Sequence, residues 1–353
     1  MKKINQVTKK IRALDEKLLK KTQARLDSLT KPLGSLGRLE ELAKQISGIT
    51  GKENPILKNK VIFTLAADHG VTEEGISAYP KEVTAQMVYN FLNGGAGINV
   101  LAKHAKARVV VVDIGVASKL RPSSKLVIKK INYGTKNMSK GPAMTRAEAI
   151  KAIETGIKIF ESEFRKSIDI IGTGEMGIGN TTAASAITAS IIQKPVEEIT
   201  GRGAGLNDEG LNNKIRIIKK SLAINDPDYN DPIDILSKVG GFEIGGLAGI
   251  ILAAASRKVP IVIDGFISGS AALLAYKIEP KTKDYMIASH CSVEKGHKVI
   301  LEYIGIKPLL DLNLRLGEGT GAALGINIAE AATKILTEMA TFKSAKVSER
   351  IEK

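Results

Sequence analysis

The stretch from Ile168 to Ile187, IDIIGTGEMGIGNTTAASAI, constrains this chain more than any other. Ile168 to Gly172 has the length and apolar character of a short buried strand, glycines follow at 172, 174, 177 and 179, and a helix rich in Ala and Thr comes next. Strand, glycine loop and helix in that order form an anion cradle. Glycine lets backbone approach a ligand closely, and the free N–H groups of the helix's first turn, with the helix dipole behind them, favour a phosphate. The same pattern also serves as a tight turn that packs a helix on a strand without any ligand.

Two phosphate motifs fit the loop by spacing. Gly172, Gly174 and Gly177 give G-x-G-x-x-G, the dinucleotide fingerprint, which also needs an acid about twenty positions on that closes a second strand. Glu197 and Glu198 lie at that distance but follow Lys194-Pro195, with no apolar strand before them. Gly174 and Gly179, with Asn180 and Thr181, match a P-loop whose lysine is replaced by Asn. Without that lysine nothing reaches a β- or γ-phosphate, so the loop suits a single phosphate.

At 353 residues the chain is long enough for one large α/β domain plus an appendage, or for two domains. A single cysteine, Cys291, excludes an internal disulfide and a cysteine-rich zinc module. The N-terminal MKKINQVTKKIRAL has no apolar core of a signal peptide and no run reaches the length of a membrane span, so a cytoplasmic, untargeted protein is expected. The net charge of +15 raises the question of a nucleic-acid partner. The basic residues are spread along the chain and aromatics make up only 4%, which leaves few stacking platforms. Neither a nucleic acid nor a membrane is expected as a partner; a lysine-rich solvated surface that helps to attract anionic small substrates is.

Taken in order, Ile4, Val7, Ile11, Leu14 and Leu18 recur at helical spacing and predict one amphipathic helix over 3–26. A second helix carries Leu36, Leu39, Leu42 and Ile46. Both precede the first strand, so they predict a small helical unit, with the last helix as a candidate member. Val61–Ala67 reads as a buried strand ending in Asp68-His69-Gly70, and Arg108–Ile114 as another ending at Asp113. Open α/β sheets place ligands just past such strand ends. Further strands are expected at 126–131, 259–264, 284–288 and 309–314. Thr145 with Glu148 predicts a capping box opening a helix to about Phe164. Strands alternate with helices from residue 61 onward, so the expected fold is a mostly parallel sheet covered by helices on both faces.

Glu318 sits between two glycines at an expected strand-to-helix turn, where its carboxylate can project into a cleft. In a partly apolar pocket such a carboxylate has a raised pKa and can act as a general base. Equally, an acid at a helix N-terminus stabilises the dipole and does nothing else. Glu175, inside the phosphate loop, poses the same question. His69, His104, His290 and His297 do not stand at zinc spacing, and no G-x-S-x-G elbow is present, so neither metal, cofactor nor covalent nucleophile is expected.

TKPLGSLGRLE (30–40), AADHGV (66–71), SAYPKEVTAQM (77–87), GEMGIGNTTAASAI (174–187), GRGAGLNDEG (201–210), SHCSVEKGH (289–297) and LRLGEGTGAAL (314–324) occur in family order over nearly the entire chain. On them the chain resembles the nicotinate-nucleotide:dimethylbenzimidazole phosphoribosyltransferase family. The resemblance implies transfer of phosphoribose from nicotinate mononucleotide to a benzimidazole base, with Glu318 as proton acceptor. It also implies a homodimer and a small helical domain built from both chain ends, 1–55 and 325–353, beside a large, doubly wound, Rossmann-like three-layer α/β domain, 56–324. In that frame the 5′-phosphate is expected on the backbone of Gly177, Gly179, Asn180, Thr181 and Thr182 and of Arg202, Gly203 and Gly205, with Lys214 as counter-charge. Glu175 is expected near the ribose and Ser292 near the nucleotide, with Ser77, Tyr79 and Gln86 in the base pocket. The competing readings are a dinucleotide oxidoreductase and a non-catalytic nucleotide sensor.

Overall fold

The computed structural model describes residues 1–348. In chain order its elements are α1 (Lys2–Thr8), α2 (Glu16–Asp27), α3 (Arg38–Thr50), β1 (Lys60–Ala67), α4 (Val83–Asn93), α5 (Gly97–His104), β2 (Arg108–Gly115), β3 (Leu126–Ile128), α6 (Arg146–Phe164) and β4 (Ile170–Met176). Then follow α7 (Asn180–Ile192), α8 (Val196–Ile199), α9 (Asp208–Asn225), α10 (Pro232–Val239), α11 (Phe242–Ser256), β5 (Ile261–Ile263), α12 (Phe266–Ile278), β6 (Met286–Ala288), α13 (Lys295–Ile304), α14 (Thr320–Glu338) and α15 (Phe342–Ala345). Among the described residues the strands form one all-parallel sheet in the order β3-β2-β1-β4-β5-β6. This is a doubly wound sheet, and its strand order reverses between β1 and β4, where such sheets open a crevice.

Helices cover both faces, and the strand period of two decides which side chain goes where. On β1, Val61, Phe63 and Leu65 enter the core shared with α6 and α11, while Ile62 and Ala66 enter the core shared with α14. Helix α11 is buried from Phe242 to Ala255, as expected of a helix that is apolar on every side. It approaches α6 closely because both helices carry glycine at the crossing: a methyl on Gly156 would overlap the Gly246 carbonyl oxygen, and one on Gly249 the Ile153 carbonyl oxygen. Gly156→Ala is therefore expected to destabilise the protein by about 1–3 kcal/mol through overpacking, read as a lower urea midpoint. An unchanged midpoint would mean that the two helices separate at no cost.

The single helix expected over 3–26 is two. Asp15 caps α2 by accepting hydrogen bonds from the N–H groups of Lys17 (2.9 Å) and Leu18 (3.3 Å), which ends the run between the halves. Helix α1 packs Ile4 and Val7 into the α6–α11 core, whereas α2 and α3 lie on the α14 side. There Thr30 donates its N–H to the Ala340 carbonyl (3.0 Å) and Phe342 to that of Ser28 (3.1 Å), joining the two ends of the chain. We propose that this junction lies inside the small helical unit, where it joins 1–55 to 325–353 beside the α/β unit of 56–324; residues 349–353 of that expected unit lie outside the described residues. The strand expected at 309–314 is also absent. Asn313 adopts φ +54°, which breaks the extended run, and only a single bridge joins Leu310 to His290. The expected strands at 126–131, 259–264 and 284–288 shorten to β3, β5 and β6. The Thr145 capping box forms as expected, with reciprocal bonds to Glu148. Among the described residues no helix is long and apolar enough to cross a membrane.

Candidate active site

The carboxyl ends of β1, β4, β5 and β6 meet the loop before α14 at the point where the strand order reverses. The glycine stretch from 172 to 179 divides here into two parts. Strand β4 runs through Met176, so Gly172 and Gly174 are strand residues. A methyl on Gly172 would stand 2.9 Å from the Ala322 Cβ, and one on Gly174 would overlap the Glu318 carbonyl. These two glycines admit the start of α14 and do not form a dinucleotide turn. Glu197 and Glu198 are exposed on α8, away from any strand end.

The loop proper is Gly177 to Gly179, with Gly179 at φ +89° leading into α7. Part of the expected amide cradle is already engaged. Ile178 donates to the Thr84 hydroxyl (3.1 Å), Thr182 to the Gly179 carbonyl (3.0 Å), Gly203 to Glu294 Oε1 (2.9 Å) and Gly205 to the Arg202 carbonyl (3.1 Å). The amides of Gly179, Thr181 and Ala204 have no protein acceptor among the described residues. The cradle is narrower than the sequence suggested.

Lys214 is fully buried on α9 and reaches the same cavity, donating to the Thr181 hydroxyl (2.7 Å) and the Gly201 carbonyl (3.4 Å). Burial pushes its pKa down to about 8, against the raising influence of Glu294. Gly203, at φ +55°, would carry a methyl 3.3 Å from the Lys214 Nζ, so glycine here leaves the ammonium open to the cavity.

Glu318 lies in a run of three left-handed residues, Gly317 (φ +83°), Glu318 (+65°) and Gly319 (+99°). For a residue with a Cβ this costs about 1–2 kcal/mol, strain of a kind that collects at functional sites. Its carboxylate accepts the Ile98 N–H at the start of α5 (3.0 Å). Burial raises its pKa, opposed by the Ile98 hydrogen bond and reinforced by Asp264. Glu175 lies against Gly317 and accepts a hydrogen bond from the Asn180 amide. Burial, followed by the charges of Asp264 and Glu243, pushes Glu175 up to about 8, so it is a neutral acid at pH 7.

That shift has a measurable consequence for stability. Between the unfolded value of 4.5 and about 8 the folded protein binds the Glu175 proton and the unfolded chain does not, so this group's share of stability falls as pH rises through that window. Glu175→Gln should flatten the decline, seen as a smaller difference between urea midpoints at pH 5.5 and pH 8 than in the parent. An identical pH dependence in both would contradict it.

Of the expected residues, Ser77, Glu175, Gly177, Gly179, Asn180, Thr181, Arg202, Gly203, Lys214 and Ser292 line one cavity. Thr182 is buried within α7, and Gly205 closes its own turn. Tyr79 and Gln86 are exposed and do not line the cavity. Glu318 is separated from it by Gly317 and Leu316, and its carboxylate faces the start of α5. Sequence reasoning missed Glu294, Arg315 and His290, all on the lining, and Asp264 beneath it. Arg315 donates to the Gly203 carbonyl (3.3 Å). Asp264 ends a strand, as Asp68 does, and the strand-end rule would have found it.

A family model described as phosphoribosyltransferase matches residues 11–347. The nicotinate-nucleotide–dimethylbenzimidazole phosphoribosyltransferase of Desulforudis audaxviator (strain MP104C) is 55% identical over 98% of each chain. The enzyme of that name from Geobacter sulfurreducens is 54% identical over 98% of each. A crystal structure of the Thermus thermophilus nicotinate-nucleotide–dimethylbenzimidazole phosphoribosyltransferase superposes with a TM-score of 0.91 at 42% identity, covering 96% of this chain and all (100%) of that one.

Proposed function

The chain belongs to the nicotinate-nucleotide–dimethylbenzimidazole phosphoribosyltransferase family, and we propose that it transfers the 5-phosphoribosyl group of nicotinate mononucleotide to 5,6-dimethylbenzimidazole, releasing nicotinate and forming α-ribazole 5′-phosphate, a component of the cobalamin nucleotide loop. The observation that carries this reading is the pairing of a phosphate-sized cradle around Lys214 with Glu318 on the far side of Gly317.

In this reading the 5′-phosphate takes the open amides of Gly179, Thr181 and Ala204 and the Lys214 ammonium. Arg315 adds positive charge at the rim. Glu175, as a neutral acid, can both donate to and accept from ribose hydroxyls without repelling the phosphate. Nicotinate leaves C1′ as a neutral pyridine nitrogen and needs no acid. A benzimidazole ring nitrogen attacks the opposite face, and Glu318 accepts the proton from the other nitrogen. Inversion follows from a single displacement, with no covalent enzyme intermediate. The raised pKa of Glu318 supports a base that takes a proton near neutral pH. Two carboxyl groups with environments that hold one protonated and leave the other to accept a proton are a recurring acid–base arrangement.

Ser77 lines the cavity and is read as an edge of the base pocket, while Tyr79 and Gln86 stand exposed on the segment that follows it. The dinucleotide oxidoreductase reading loses its support, since Gly172 and Gly174 lie within β4. A nucleotide sensor would use the same cradle without turnover. The deciding assay follows nicotinate release from nicotinate mononucleotide by chromatography, with and without 5,6-dimethylbenzimidazole. Release that requires the base supports transfer; tight nucleotide binding without release supports the sensor.

A further inference from the structure

We propose that Asp264 is the positioning residue for Glu318, clamping the first turn of α14 so that Glu318 stays left-handed with its carboxylate on the Ile98 amide; the inference rests on the reading of Glu318 as the base. Asp264 follows β5 and is 1% exposed. Its Oδ2 accepts the Gly319 N–H (3.0 Å) and its Oδ1 the Ala322 N–H (3.1 Å). Gly319 is the residue that caps α14 and has no side chain to do so, so the capping oxygens come from a strand end far away in sequence.

Two further features fix the same peptide. The Thr64 hydroxyl on β1 donates to the Glu318 carbonyl (2.9 Å), and Gly174 on β4 leaves room for that carbonyl. Three strands therefore hold one residue from three directions. A left-handed glutamate persists only when its surroundings over-determine it; on the helix side Asp264 binds Gly319 and Ala322 from β5, and the Thr320 hydroxyl closes the turn on the Gly317 carbonyl (2.8 Å). Asp264 does not line the cavity that holds the nucleotide in this reading; it reaches that cavity only through its charge on Glu175 and its approach to His290 Nε2 (3.8 Å), so its loss should displace the base and change nucleotide binding far less.

The test compares Asp264→Asn, Thr64→Val and Glu318→Gln with the parent, using nicotinate mononucleotide and 5,6-dimethylbenzimidazole. Asn keeps the shape but can accept through one oxygen only. Asp264→Asn is expected to lower kcat about 10- to 100-fold, the size of effect that a small misplacement of a reacting group produces. The KM for nicotinate mononucleotide should stay within about threefold of the parent, because no side chain on the phosphate cradle is changed. Thr64→Val, which removes one neutral hydrogen bond and keeps the buried shape, should lower kcat about 2- to 10-fold. It carries the test if the Asn variant does not fold. In a Glu318→Gln background, Asp264→Asn should cost little more, since both act through one group.

A parental kcat in both variants, a rise in KM with kcat spared, or additive losses in the double variant would each overturn the proposal. Crystal structures of the variants separate its failure from that of the base reading. Should Glu318→Gln turn over like the parent, the base reading falls. The positioning claim then stands if residue 318 leaves its left-handed conformation in Asp264→Asn, and falls if it does not.

Discussion

Glu318→Gln is expected to lower kcat by at least about 10²-fold while nicotinate mononucleotide binds with nearly parental affinity, the loss typical of removing a general base. Gln keeps the size of the side chain and can still accept the Ile98 N–H through its carbonyl oxygen, so the left-handed turn has no new reason to rearrange. What it cannot do is take a proton. The parent should also lose kcat as pH falls through the Glu318 pKa, which lies above the usual carboxylate range because the group is buried beside Asp264. Only the ionised form is a base, so the acid limb marks its protonation in the bound complex. Steady-state rates from pH 5 to 8 check both points. A variant with parental turnover would remove Glu318 from the chemistry, as would an acid limb that persists unchanged in the variant.

Lys214→Met should act on the other end of the substrate. A hydrogen bond to a charged group contributes about 1.5–3 kcal/mol, so the KM for the nucleotide is expected to rise about 10- to 150-fold, with a much smaller change in kcat. The sign of the pH dependence follows from the direction of the shift. In the free protein burial holds the Lys214 pKa at about 8, so above that pH the amine is neutral and must gain a proton to meet a phosphate dianion. Nucleotide affinity should therefore weaken as pH rises through about 8 in the parent, and this dependence should vanish in the Met variant. Titration calorimetry at pH 7 and pH 9 measures it. Equal affinities at both pH values in the parent would place the phosphate elsewhere.

Much of the α/β frame was legible in the sequence because buried parallel strands read as unbroken apolar runs. Val61–Ala67 and Arg108–Ile114 are of that kind, and each runs into an acid at its carboxyl end, Asp68 and Asp113, although neither acid lines the cavity. The errors came where one residue overrides a periodic pattern. Asp15 ends a helix that the apolar spacing carries through, and Asn313 breaks a strand that composition favours. The glycine stretch shows the same limit at the site. Gly174 and Gly179 look alike in sequence, yet one makes room for the Glu318 peptide and the other turns the chain into α7. Spacing cannot separate a glycine needed for packing from one needed for a ligand. Asp264, Glu294 and Arg315 escaped notice because their roles depend on partners brought from other strands and loops. Glu318 stands out as a candidate in the sequence because glycines on both sides are a local signal.

The most direct test of the account is the configuration at C1′ of the nucleotide formed from β-nicotinate mononucleotide and 5,6-dimethylbenzimidazole, determined by nuclear magnetic resonance on the isolated product. Single displacement by a base activated at Glu318 predicts the α-anomer alone, with one nicotinate released for each nucleotide made. A β-anomer would mean net retention, which a single in-line displacement cannot give, and would contradict the mechanism; release of nicotinate without a new nucleotide would contradict the transfer itself.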